Sequence, residues 1–77
     1  MVKEITLTAI YEEAEEGGYI GYIAELPGAN TQGETMDEVR ENLVEAVQMI
    51  LEANREAAEK RVGDAKVVRE KLTLHAA

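Results

Sequence analysis

Four glutamates, Glu12, Glu13, Glu15 and Glu16, crowd a short stretch ending in Gly17-Gly18, and a single histidine, His75, lies near the C-terminal end. These residue types could do chemistry. Clustered carboxylates supply the oxygen donors that Mg²⁺ and Ca²⁺ take, and histidine titrates near neutral pH, as a general base must. The surrounding pattern supports neither use. The glutamate spacing is not that of a calcium loop, and an acidic run in a hairpin tip is ordinarily a solvated turn. His75 has nothing to activate, because the sequence contains no serine and no cysteine. That excludes the familiar nucleophilic acyl-transfer arrangements. Among sixteen acidic residues some pairs fall close by chance, but none has the aromatic or basic neighbours that mark a tuned acid–base pair. Gly17, Gly18 and Gly21 do not make a phosphate loop. We expect no catalytic residue, no metal ligand and no cofactor, and therefore no enzyme.

The elements that carry these residues belong to one small domain spanning 1–77. A chain of this length buries about 60–65% of the surface its unfolded form exposes, so its core is marginal. With no cysteine, disulfides and thiolate metal sites are both closed to it. Self-association is the remaining support, and a homodimer or higher homo-oligomer is expected. Sixteen acidic residues against eight basic ones give a net charge of −8. Direct nucleic-acid binding is not expected of such a chain, because phosphate would be repelled; a basic protein surface suits it better. The N-terminus lacks the apolar core of a signal peptide, and no run is long enough to span a bilayer. A cytoplasmic protein with no membrane partner is expected.

Val2 to Tyr11 alternates, with Ile5, Leu7, Ala9 and Tyr11 on one face and Thr6 and Thr8 on the other, which predicts a strand. After the glutamate turn, 19–26 reads as a second strand, apolar on both faces. Leu26-Pro27-Gly28 suits a type II turn, with proline setting φ and glycine taking the positive φ that follows. A short polar third strand over Asn30–Gly33 leads to Thr35-Met36-Asp37-Glu38, a capping box. From Met36 to about Lys60 the period becomes helical, with Met36, Val39, Leu43, Ala46, Val47, Ile50, Leu51 and Asn54 in one stripe. Gly63-Asp64 ends the helix, and 67–75 alternates again as a fourth strand. The expected architecture is α+β, β-β-β-α-β: a four-stranded mixed sheet in the order 3-2-1-4 with the helix on one face.

Opposite the apolar stripe, Glu38, Glu41, Glu45, Gln48, Glu52, Glu56 and Glu59 form an acidic row. It is either a solubilising face or a landing strip for a basic protein. Tyr11, Tyr19 and Tyr22 lack the interleaved lysine or arginine of a base-stacking platform and are read as packing residues.

The stretch 19–52 resembles the HicB-like antitoxin family. The resemblance rests on Glu25 before Leu26-Pro27-Gly28, on Thr31-Gln32-Gly33-Glu34-Thr35, and on the helix opening with Asn42-Leu43. It implies a reduced ribonuclease-H-like fold without nuclease activity, and a partner: a small, basic, mRNA-cleaving toxin of the HicA type, bound and occluded. Many relatives of that kind append a DNA-binding domain; with Ala77 following directly on the fourth strand, operator binding is not expected of these residues. Candidate partner-binding residues are Tyr22, Glu25, Asn30, Thr31, Gln32, Glu34, Glu38, Glu41 and Glu45. The alternative function is a stand-alone oligomeric module that binds another protein or a small ligand.

Overall fold

The computed structural model describes residues 6–73. Two turns shape the sheet. At the first, the Gly17 amide donates to the Ala14 carbonyl at 3.0 Å, with Gly17 and Gly18 at positive φ. At the second, the Ala29 amide donates to the Leu26 carbonyl at 3.2 Å, and Gly28 takes φ 95° between them. That is the conformation a Pro-Gly pair favours. The resulting strands are β1 (Ala9–Glu13), β2 (Tyr19–Ile23) and β3 (Asn30–Gly33), all antiparallel in the order β1-β2-β3.

Thr35 caps the helix α1 (Met36–Val62), its hydroxyl accepting from the Glu38 amide at 3.1 Å. Asp37 and Glu38 lie in the first turn and Lys60 and Arg61 in the last, complementing the helix dipole at both ends. Gly63 closes the helix with its amide on the Glu59 carbonyl.

The core lies where α1 crosses β2 and β3. Val39 is fully buried, and Ile23, Ala29 and Leu43 are nearly so, with Tyr11, Leu26, Val47 and Ile50 packed around them. Two glycines let the layers approach. A Cβ at Gly21 would stand 3.1 Å from both Val39 and the Tyr11 ring, and one at Gly33 would meet the Val39 backbone at 2.7 Å. The stripe read from the sequence is real only over its first half. Residues 51–60 are all exposed, because the 27-residue helix is about 40 Å long and outruns a sheet of four- and five-residue strands.

That length corrects the expected fold. Among the described residues the sheet has three strands, not four, and it is antiparallel, not mixed, so the expected ribonuclease-H-like order 3-2-1-4 is replaced by β1-β2-β3. The helix carries the chain away from the sheet, and residues 67–73 follow it in no strand. Leu74 and His75, the remainder of the expected fourth strand, lie outside the described residues. At the other end β1 starts at Ala9 and runs into Glu12 and Glu13, which pair with Ile20 and Tyr19 instead of forming the turn. Val2 to Ile5 also lie outside the described residues.

Candidate functional site

Strand alternation fixes what each side of the sheet shows. Tyr11, Tyr19, Gly21, Ile23, Thr31 and Gly33 face α1. Among the described residues the opposite face carries no helix, and the register lays two cross-strand rows on it: Ile10–Tyr22–Asn30 and Glu12–Ile20–Gln32. Ile20 is 41% exposed at its centre. The Tyr22 hydroxyl points to Glu12 Oε1 at 3.4 Å, a long contact. Apolar side chains with a polar and acidic margin are the make-up of a protein contact surface.

Beyond Ile20 and Gln32 this face runs into a hollow at the hairpin end of the sheet. Glu13, Glu15, Glu16, Glu34 and Glu38 line it, with Gly17, Gly18 and Tyr19 between them. Among the described residues no group of three or more acidic or histidine side chains is placed to hold a metal ion. The hollow is an anionic surface continuous with an apolar one.

A second depression, a groove of about 470 Å³, separates β3 from the helix. Ala46, Met49, Ile50 and Ala53 line it together with Asn30, Thr31, Asn42 and Glu45. The Asn42 amide donates to the Gln32 carbonyl at 3.0 Å and ties helix to strand at its edge.

The candidate residues therefore divide among several places. Tyr22, Asn30 and Gln32 share the helix-free face. Glu34 and Glu38 border the acidic hollow. Thr31 faces the helix and lines the groove with Glu45, while Glu41 stands exposed on α1. Glu25 is already engaged: its Oε1 accepts from the Thr8 amide at 2.7 Å and its Oε2 from the Thr8 hydroxyl at 2.6 Å. These bonds, the hydroxyl's first and the amide's second, hold the Glu25 carboxyl below its ordinary value. Glu25 clamps the entry of β1 to the corner after β2.

Ile10, Ile20 and Glu12 complete the helix-free face and were not among the candidates. Period two pairs Ile10 with Thr6 and Thr8, a signal present in the sequence. Asn42 and Met49 were also missed as groove residues; only the height of the helix over β3 reveals them.

A small α+β unit that offers surfaces, not a closed cavity, is the class this architecture defines. The chain belongs to the UPF0150-like family, whose family model matches residues 5–54. It is 52% identical over 46 residues to a UPF0150 protein of Synechocystis sp., covering 60% of this chain and 64% of that one. A second Synechocystis UPF0150 protein is 37% identical over 60 residues, covering 77% and 87% of the two chains. One from Thermotoga maritima is 35% identical over 51 residues, covering 66% and 68%. No solved structure matches the chain. Among the described residues no helix is long and apolar enough to cross a membrane.

Proposed function

We propose that this chain is a HicB-like antitoxin module: it binds a small basic toxin of the HicA type in the cytoplasm and covers the surface that toxin uses on mRNA. The observation that carries the reading is the continuity of the apolar helix-free face with the acidic hollow, through Ile20 and Gln32. An RNA-cleaving toxin must be cationic where it meets phosphate. An anionic hollow beside an apolar patch competes for that cationic surface, the charges speeding encounter and the apolar centre prolonging the contact. Occlusion needs no catalytic group on this chain. The resemblance in Glu25–Gly28 and Thr31–Thr35 points the same way, although those residues mostly shape the backbone.

The groove between β3 and α1 favours a second reading, a stand-alone module taking a small ligand or another protein, since its lining mixes apolar residues with Asn30, Thr31 and Asn42. Calorimetric titration against a HicA-type toxin at low and at high salt separates the two. We expect a complex that weakens as salt rises. No heat and no complex at low salt would sink the antitoxin reading and leave the groove as the site.

A further inference from the structure

Among the described residues the outer edge of β1 has no strand beside it. The Ala24 amide bonds the Thr8 carbonyl at 2.9 Å and the Ala14 amide bonds the Gly18 carbonyl at 3.0 Å. Antiparallel pairs alternate between bonded and non-bonded, so Ala9, Tyr11 and Glu13 turn their amides and carbonyls away from β2. On the far side of the sheet, the Ile23 amide on the Ala29 carbonyl makes Asn30 and Gln32 the outward residues of β3, and Asn42 already caps Gln32. The helix packs on β2 and β3, and among the described residues no element covers the strip beside β1. The Arg40 guanidinium sits 6.0 Å from the centre of the Tyr11 ring, and Val44, one turn further along the same flank of the helix, is exposed.

The segment 66–73, Lys-Val-Val-Arg-Glu-Lys-Leu-Thr, has the pattern to fill that strip and is idle in the protomer. Val68 is 92% exposed and Leu72 85%. The one ion pair this segment makes among the described residues, Arg69 to Glu59 at 2.7 Å, is at the surface, where such pairs contribute little. In its own copy the segment cannot be centred on β1. Tyr11 lies level with Arg40, about 33 Å of helix rise before Val62. Glu70, at the segment's middle, comes eight residues after Val62 and extends about 27 Å at most.

We propose that segment 66–73 of one copy docks along the β1 edge of a second copy. Alternation places Val68, Glu70 and Leu72 on one face. There Val68 and Leu72 meet Ala9, Tyr11 and the bare side of α1, and Glu70 meets Arg40. The other face presents Arg69 and Lys71 to Glu12. Three of the eight basic residues fall within 66–71, in a chain of net charge −8, so another copy's acidic sheet attracts the segment. Each protomer keeps its own three strands. The inference does not rest on the toxin reading and survives its failure.

Light scattering on the purified full chain is expected to give the mass of two chains. Val68→Asp with Leu72→Asp should convert it to one chain that still melts cooperatively, with a midpoint lowered by the lost association and no longer dependent on protein concentration, since both side chains are exposed in the protomer. Ala9→Pro should do the same, because the amide it removes points away from β2. Chains carrying Glu12→Cys, mixed with chains carrying Lys71→Cys and oxidised, should cross-link between copies, whereas Glu12→Cys mixed with Arg55→Cys should not. A single-chain mass for the unaltered protein would overturn the proposal. So would a dimer indifferent to both changes, which would pair through the helix-free face, or a monomer that holds a basic protein along β1.

Discussion

Gly33 passes beneath Val39 with no space for a side chain: a Cβ there would stand 2.7 Å from the Val39 amide nitrogen and 3.0 Å from its Cα. Those atoms belong to the first turn of α1, which cannot yield without shifting the Thr35 cap. Gly33→Ala should therefore destabilise the fold by about 1–3 kcal/mol, the cost of forcing a methyl group into a packed contact. In a domain this small that lowers the thermal midpoint by roughly 4 °C or more. A calorimetric melt checks it. Gly17→Ala is an instructive companion: its Cβ would meet nothing within 4 Å, so any cost there comes from the positive φ alone.

Glu25 and Thr8 set a pH dependence of known sign. The Glu25 carboxyl is held below its ordinary value of 4.5 by the Thr8 hydroxyl and amide. A carboxylate with a depressed folded value binds fewer protons folded than unfolded. Its contribution is fully present above about 4.5 and is lost as pH falls through the lowered folded value. Glu25→Gln should thus be less stable than the unaltered chain at neutral pH, and the gap should narrow below about pH 4.5. Denaturant melts at pH 7 and pH 3 measure this. An equal gap at both would mean the Thr8 contact does not distinguish the two charge states.

Which parts of this were legible in advance follows from how local each determinant is. Pro27-Gly28, Thr35 and Gly63 act on backbone a few residues away, and the turn, the cap and the helix stop stand where the pattern puts them. The fourth strand was misread because alternation over 67–73 records only which side chains would share a face if a sheet were alongside. Whether one is alongside depends on a helix that overshoots the sheet, and no residue within 67–73 encodes that length. The site divides the same way. Tyr22, Asn30 and Gln32 come together through a register fixed by two local turns. Glu25 was read as a contact residue because its partner, Thr8, is seventeen positions away across the hairpin.

If the acidic hollow recruits a cationic partner, its tip should control the rate of encounter. Glu15 and Glu16 are exposed, and neither makes an ion pair among the described residues. Glu15→Lys with Glu16→Lys should leave the melting curve in place while slowing association with a HicA-type toxin by about tenfold at low salt. The difference should shrink as salt rises and the Debye length falls to about 8 Å. Ile20→Asp, at the centre of the adjoining apolar face, should instead raise the dissociation rate. Stopped-flow mixing resolves the two; equal effects on both rates would assign no separate role to the hollow.

The two halves of α1 should respond differently to truncation. Leu43 is buried between the sheet and the helix, so Leu43→Ala removes packed methyl groups and leaves a cavity, costing about 2–5 kcal/mol. Met49, 70% exposed at the margin of the groove, has little packing to lose, and Met49→Ala should fall within about 0.5 kcal/mol of the unaltered chain. Val44, one turn on from Arg40, discriminates further. It is exposed on the flank of the helix that carries Arg40 over the Tyr11 ring, so Val44→Ala should cost little in a chain held as a monomer by Val68→Asp and Leu72→Asp, and clearly more in the unaltered chain. Denaturant melts of the two backgrounds at matched concentration make the comparison. Equal costs in both would mean that the strip stays uncovered in solution.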